Sequence, residues 1–167
     1  MIQLWTIGRE REKAYYAQFV RDTDQQALLF PVIDAIHDLK EGVGSASQLM
    51  DASRAAMVGG NFRVWGITSN WLNRVVAQIP EVAQLWVEFA SHADWRLRWR
   101  VACHLYLDIP EDMSNRIFAL LRHDRSAKVR EYAISRYEER PNEKREVVKM
   151  FDAKAFDDRV RGREISI

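Results

Sequence analysis

Residues 79–142 read IPEVAQLWVEFASHADWRLRWRVACHLYLDIPEDMSNRIFALLRHDRSAKVREYAISRYEERPN, and this stretch decides the fold because one plan occurs in it twice. The tripeptide IPE at residues 79–81 recurs at residues 109–111, and Pro141 follows about one period later. A proline in the first turn of a helix, with an acidic residue beside it, is a typical helix start. The spacing therefore predicts successive helical hairpins, each begun by a proline.

Each proline start is followed by an apolar periodic stretch, a short polar break and a second apolar stretch. The first hairpin of the pair breaks at Ser91–Asp94 and continues in a helix over roughly Trp95–Leu107, and the next breaks at Arg122–Arg125. The apolar residues at helical spacing are Val82, Leu85, Trp86, Phe89, Leu97, Val101 and Leu105, then Ile117, Phe118, Leu120, Leu121, Val129, Ala133, Ile134 and Tyr137.

The same pattern of helical hairpins continues upstream, where the helix start and stop signals are weaker. Ser45 or Ser47 can cap a helix after the loop at residues 41–45, and Asn61 can cap the next one. Pro31 either starts or kinks a helix. The whole chain then divides into approximate hairpins at 9–40, 45–79, 80–109 and 110–140, with a capping helix at 141–160. We predict an all-α domain of about nine helices and no strand.

Composition limits the possible functions. The 167 residues are 47% hydrophobic and 29% charged, which is typical of one globular domain. A net charge of +1 does not indicate a nucleic-acid or membrane partner by bulk electrostatics. With a single cysteine, Cys103, and neither an N-terminal apolar leader nor a membrane-length apolar run, we expect a cytoplasmic protein.

One pattern in the last hairpin resembles a known repeat. Asp124-x4-Val129-Arg130-x2-Ala133-x3-Tyr137 is similar to the signature of HEAT repeats. The resemblance implies an Asp in the turn between two helices and an Arg six residues later, which pair along a stack of hairpins. It implies a short α-solenoid of about four HEAT-like hairpins, and a compact helical bundle is the alternative with the same periodicity.

The preceding hairpin fits this signature in two registers. In one register Asp94 and Arg100 are the pair, and in the other His92 and Arg98 take those positions. The inward apolar residues are Trp99, Cys103 and Leu107 in the first register, and Leu97, Val101 and Leu105 in the second.

The candidate binding residues lie on this helix and in the next turn. Aromatic and guanidinium side chains alternate over residues 94–100, and Trp, Tyr and Arg dominate the energetics of protein interfaces. The candidates are Trp95, Arg96, Trp99, Arg100, His92, Arg122, His123, Arg125 and Lys128. The alternative is structural: the tryptophans pack on a neighbouring repeat, and the cations are solvated or paired with acids.

Motifs for catalysis or metal binding are weak or absent in the sequence. Ser91-x2-Asp94-Trp95-x3-Trp99-Arg100 resembles a helix start in HEAT-like DNA glycosylases for alkylated bases, but no position matches their catalytic carboxylate. We predict no catalytic residue, metal site or cofactor, and Cys103 is interpreted as a packing residue. The mixed charges of residues 9–13 are expected to be solvated.

The leading functional hypothesis is a non-enzymatic protein-binding module. Its size and mixed charge are similar in style to bacterial immunity proteins, which inhibit a toxin by covering its active site. A nucleic-acid-binding protein is the alternative, and a subunit that buries its exposed stripes in an oligomer is a third reading.

Overall fold

A computed structural model describes residues 6–105 and 109–150, with side chains through residue 138. Within those ranges the chain forms eight α-helices and one 3₁₀ turn, with no strand, so the all-α prediction is confirmed there. The helices are α1 (Arg9–Ala17), α2 (Thr23–Glu41), α3 (Ala46–Gly59), α4 (Phe62–Val76), α5 (Ala83–Ala90), α6 (Trp95–Cys103), α7 (Glu111–Leu121) and α8 (Ala127–Met150).

Short polar side chains set the starts of four helices. Asp22, Ser45, Asn61 and Asp94 each accept a hydrogen bond from a backbone N–H of the first turn of α2, α3, α4 and α6. At Ser45 the bond is reciprocal, because the Gln48 side chain also accepts from the Ser45 backbone. This arrangement satisfies N–H groups that the helix leaves unpaired. Ser45 is therefore the cap of α3, and Ser47 is not.

The prolines mark helix starts less faithfully than the sequence suggests. Pro80 begins the 3₁₀ turn at residues 80–82, and Pro110 caps α7. Pro31 lies inside α2, and Pro141 lies inside α8, so the separate helix predicted to begin at residue 141 is wrong. Proline has a helical φ and removes one hydrogen bond, a cost that a long helix can bear. The predicted residues 151–160 of that helix lie outside the described ranges.

The helices pack as pairs, and neighbouring pairs pack on each other. α5 contacts α6 and α7, and α8 contacts α6 and α7. Upstream, α2 contacts α1, α3 and α4, and α3 contacts α4. The largest fully buried side chains, Trp71, Trp86 and Phe89, lie in α4 and α5 near the middle of the chain. One continuous apolar core therefore joins the two halves.

Arginine side chains connect the turns of successive helix pairs. Arg63 at the start of α4 donates to the carbonyl of Phe19, which follows α1, at 2.5 Å. Arg100 of α6 donates to the carbonyl of Gly60 between α3 and α4. Arg125, before α8, donates to the carbonyl of Ala93 before α6, at 2.9 Å. Each of these bonds thus ties one helix pair to the pair that precedes it in the chain.

The structure decides between the two registers of α6. Arg98 pairs with Asp124, and Leu97, Val101 and Leu105 are at most 2% exposed, as the second register requires. The register that pairs Asp94 with Arg100 is wrong. Asp94 instead caps α6, and its carboxylate accepts from the Arg96 backbone at 2.9 Å.

Three further expectations about burial fail. Leu120 and Ile134, assigned to apolar faces, are 43% and 42% exposed. The mixed-charge face of α1 is not wholly solvated, because Glu12 is only 4% exposed and lies 2.8 Å from His37 of α2. Charged residues tolerate such burial when a partner is present, and the partner is 25 positions away in sequence.

Candidate binding surface

Three aromatic side chains form a row across alternate helices. Trp65 of α4 meets Trp99 of α6 edge-to-face, with ring centroids 6.1 Å apart. Trp99 in turn meets Tyr132 of α8 edge-to-face at 5.5 Å. Edge-to-face contacts place the positive edge of one ring on the negative face of another, so they hold the rings in a defined arrangement. The row runs over the surface of the second helix of each pair.

Sequence reasoning found Trp99 and missed Trp65 and Tyr132. Trp65 lies four residues after its helix cap, Asn61, and Trp99 lies five residues after Asp94. A search for aromatic residues about one turn after each cap would have found Trp65. Tyr132 could be found only by matching Arg130 to Arg98, which places both aromatic residues shortly after equivalent arginines.

Cationic side chains lie on the aromatic rings. The Lys128 ammonium is 4.5 Å from the ring centroid of Trp99 and 5.7 Å from that of Trp95. Arg96 lies over Trp95 at 6.0 Å. These contacts are within the range of cation–π attraction, which is strongest when water is excluded. Trp95 and Tyr132 remain 39% and 38% exposed, so both rings are open to a partner. We call Trp95, Arg96, Trp99, Lys128 and Tyr132 the aromatic–cationic surface.

A buried ion pair holds α6 against the turn that precedes α8. Arg98 Nε lies 2.5 Å from Asp124 Oδ2, and its second nitrogen lies 3.0 Å from Oδ1, so the contact is bidentate. The third nitrogen of Arg98 donates to the carbonyls of His92 and Ala93. Arg130 of α8 repeats this arrangement by donating to the carbonyl of Asp124, six residues before it. These bonds set the relative positions of Trp95, Trp99 and Lys128.

Two predicted binding residues, Arg100 and His92, make hydrogen bonds within the molecule. Arg100 turns toward the end of α3 and donates to the carbonyls of Met57 and Gly60, with burial lowering its pKa. It also lies over the ring of Trp65. The Nδ1 atom of His92 accepts from the Asp94 backbone at 3.0 Å. Arg100 therefore bonds carbonyls at the end of α3, and His92 stabilises the turn before α6.

The basic residues of the turn before α8 differ in where they lie relative to the aromatic–cationic surface. Arg122 lies over the ring of Phe118 on α7, with 5.7 Å to the centroid, and not on the tryptophans. His123 is exposed, and Arg125 bonds the neighbouring turn. Of the nine predicted binding residues, the structure brings together Trp95, Arg96, Trp99 and Lys128.

Burial shifts the pKa values of two neighbouring titratable side chains at the end of α6, Cys103 and His104. Burial lowers the pKa of His104, which lies between Trp65 and Trp86, to about 4. Burial raises the pKa of the Cys103 thiol to about 11. The imidazole is therefore neutral and the thiol protonated, whereas the thiolate is the reactive form. Among the side chains of residues 6–105 and 109–138, no three His, Cys, Asp or Glu residues are grouped to hold a metal ion.

Comparison with protein-family models, curated proteins and solved structures finds no match for this chain. Among the described helices, none is both long and apolar enough to cross a bilayer.

Proposed function

We propose that the protein is a non-enzymatic binding module, a short stack of four HEAT-like hairpins that recognises another protein through the aromatic–cationic surface. The stack is supported by the Arg98–Asp124 pair, which joins one helix pair to the next at the spacing of the HEAT signature. It is also supported by the arginine bonds between successive turns. Stacked hairpins bury apolar faces that no single hairpin could bury alone.

The exposure of Trp95 beside Lys128 is the observation that carries the binding role. A tryptophan that served only the core would be covered, as Trp71 and Trp86 are. Trp95 instead keeps 39% of its surface exposed, with two cations on its ring. Partly exposed tryptophans on a rigid support are typical anchors of protein interfaces. The partner class that we propose is a bacterial toxin, on the size and mixed charge of the chain alone.

Affinity capture with the whole chain tests the proposal. Trp95→Ala and Tyr132→Ala are compared with Leu120→Ala, which removes a similarly exposed side chain from α7. Partners captured from the source organism by the wild type are identified by mass spectrometry, and each is then titrated in purified form. A central anchor contributes about 2 kcal/mol or more, so Trp95→Ala should weaken binding about 30-fold.

Leu120→Ala should leave that affinity unchanged. If Trp95→Ala retains every purified partner at wild-type affinity, the aromatic–cationic surface is not the interface. If the partner is a toxin, co-expression should protect cells with the wild type and fail with Trp95→Ala.

Nucleic-acid binding is the second candidate, because exposed Arg96 and Lys128 flank an exposed tryptophan on which a base could stack. Such binding must weaken steeply as salt rises, since phosphate contacts release counterions. Titration of duplex and single-stranded oligonucleotides between 50 and 300 mM salt would reveal it. Absent or salt-insensitive binding removes this candidate. The likeness to DNA glycosylases is not strengthened by Asp94, whose carboxylate caps α6.

A further inference from the structure

Three helices of the stack begin with the same short pattern. Before α4, α6 and α8 a polar residue is followed by a variable residue, a cation and a buried apolar residue. The three instances are Asn61-Phe62-Arg63-Val64, Asp94-Trp95-Arg96-Leu97 and Ser126-Ala127-Lys128-Val129. Val64, Leu97 and Val129 are each at most 2% exposed. Burying the fourth residue places the cation on the solvent side, where Arg63, Arg96 and Lys128 are all exposed.

These cations do not stabilise the helices that carry them. The N-terminal end of a helix has a partial positive charge, so a cation in the first turn is unfavourable by about 0.3–1 kcal/mol. α7 shows the favourable arrangement, with Glu111 and Asp112 in its first turn. α4, α6 and α8 have no acidic residue there.

The cations also lack carboxylate partners within the molecule. Among the residues the structure describes, no Asp or Glu side chain lies within 4.0 Å of the charged nitrogens of Arg63, Arg96 or Lys128. By contrast, Arg9, Arg54 and Arg98 each pair with at least one acid. The charges of these three cations are therefore not neutralised by an acid of the described residues, and Arg63 also donates a hydrogen bond to the carbonyl of Phe19.

Exposed aromatic residues accompany the first two cations. Phe62 is 68% exposed and Trp95 is 39% exposed, and the following arginine of each helix lies over the ring. The Trp65–Trp99–Tyr132 row shows that α4, α6 and α8 are neighbours in that order. The pattern thus continues the aromatic–cationic surface from α6 and α8 onto α4.

We infer that this line of helix starts binds an acidic, extended segment of the partner protein. The inference rests on the proposed function and adds the chemistry of the partner and the contribution of α4. Packed helices lie about 8–10 Å apart, and an extended chain advances about 3.3 Å per residue. α6 and α8 pack on each other, so acidic residues three positions apart would meet Arg96 and Lys128, and a further acidic residue on the α4 side would meet Arg63.

An acidic polypeptide fits this surface better than a nucleic acid does. Nucleic-acid-binding domains typically have an isoelectric point above about 9, and this chain has one near 7.9. A short line of cations between apolar rings suits carboxylates separated by uncharged residues. A continuous phosphate backbone would call for a broader basic face.

Peptide titration with the full chain tests the inference. The probe is a fluorescein-labelled 12-residue peptide with glutamate at every third position, and its control has glutamine at those positions. The double variant Arg96→Glu/Lys128→Glu is compared with Arg11→Glu/Arg116→Glu, which changes the net charge equally at exposed sites on α1 and α7. Phe62→Ser tests α4, because a residue 68% exposed can be changed without loss of core packing.

We expect the glutamate peptide to bind and the glutamine peptide to bind at least about tenfold more weakly. Arg96→Glu/Lys128→Glu should reduce affinity at least about tenfold, Phe62→Ser about threefold, and Arg11→Glu/Arg116→Glu less than twofold. Equal losses in the two double variants, or no binding of the glutamate peptide at millimolar concentration, would overturn the inference. So would tighter binding of a 20-nucleotide single strand that Arg96→Glu/Lys128→Glu abolishes.

The captured partner separates this inference from the proposed function. If Trp95→Ala loses the partner while Phe62→Ser and Arg96→Glu/Lys128→Glu keep it, the protein-binding role stands and the acidic-segment inference fails. If Trp95→Ala keeps it, the proposed function itself fails.

Discussion

Two buried side-chain pairs join helices in the N-terminal and C-terminal parts of the described chain, and the pKa of the carboxyl group is shifted in opposite directions in the two pairs. Glu12 of α1 meets His37 of α2 through one contact of 2.8 Å. Arg98 of α6 meets Asp124 through two contacts, and Asp124 also accepts from the Ser126 backbone. All four side chains are at most 6% exposed.

The number of hydrogen-bond donors to each carboxylate explains why the pKa of Glu12 is raised and that of Asp124 is lowered. Burial raises the pKa of Glu12, and the hydrogen bond from His37 offsets only part of that effect. Burial also acts to raise the pKa of Asp124, but the bonds from Arg98 and the Ser126 backbone, with the guanidinium charge, hold it below its ordinary value. A buried carboxylate is therefore stabilised when rigid donors surround it, and one contact is not enough.

The largest decrease in the free energy of unfolding is expected from Arg98→Met. It leaves Asp124 buried without its main partner and removes the donor to two turn carbonyls. Removing one member of a buried pair costs about 3–5 kcal/mol, so the free energy of unfolding should fall by that amount in urea titrations. Arg98→Lys should recover little of it, because an ammonium cannot reproduce the bidentate contact.

Arg116→Met on α7 is the matched control, since this arginine is exposed. It should change stability by less than about 0.5 kcal/mol. Equal costs at the two positions would mean that the buried pair contributes nothing special to the packing of α6 and α8.

A smaller decrease in the free energy of unfolding is expected from His37→Phe. The substitution leaves the Glu12 carboxylate buried without its hydrogen bond, at a cost of about 1–3 kcal/mol. Glu12→Leu/His37→Phe should recover most of that loss, because replacing both members of a buried pair by apolar residues is often neutral or stabilising. Unfolding in urea checks both. A double variant less stable than His37→Phe would show that the pair itself stabilises α1.

The pH dependence of stability should differ in sign between the pairs. Asp124 has a lowered folded-state pKa, so its contribution is present above pH 3.8 and is lost as the pH falls further. Glu12 has a raised folded-state pKa, so its contribution is present below pH 4.5 and is lost as the pH rises through the folded-state value.

Asp124→Asn and Glu12→Gln separate these contributions. As the pH falls from 7 to 3, the stability of Asp124→Asn should approach that of the wild type, and the stability of Glu12→Gln should fall further below it. Unfolding in urea at intervals of half a pH unit measures both trends. Parallel curves for the two variants would contradict the assignment of opposite shifts.

The smallest effect is expected from Gly66→Ala, which touches neither pair. A Cβ at Gly66 would meet no atom within 4 Å, and alanine is favoured over glycine in a helix by about 1 kcal/mol. The midpoint of urea unfolding should therefore rise. Gly60→Ala is the contrasting variant, because its Cβ would lie 2.2 Å from the Ala56 carbonyl oxygen, and it should destabilise the chain.

Local patterns predicted much of the fold. Caps at Ser45 and Asn61, the breaks near residues 91–94 and 122–125, and the burial of Val129 and Ala133 follow from rules that act within a few residues. Four of the five residues of the aromatic–cationic surface were also predicted, because aromatic and cationic residues stand close together at residues 95–99 and Lys128 follows in the next turn, whereas Tyr132 was missed. The continuation of α8 through Pro141 was not predictable, because a local helix-start signal does not reveal whether an earlier helix continues through it.

The sequence by itself determined the all-α class, the positions of the helix pairs and the residue types available for binding, because short-range hydrogen bonds and apolar periodicity control them. Only the tertiary structure decided that Arg98, and not Arg100, pairs with the next turn, and that Glu12 is buried against His37. It alone placed Trp65 and Tyr132 beside Trp99. These outcomes depend on contacts between residues 25 or more positions apart, where packing and desolvation choose among partners that look equivalent locally.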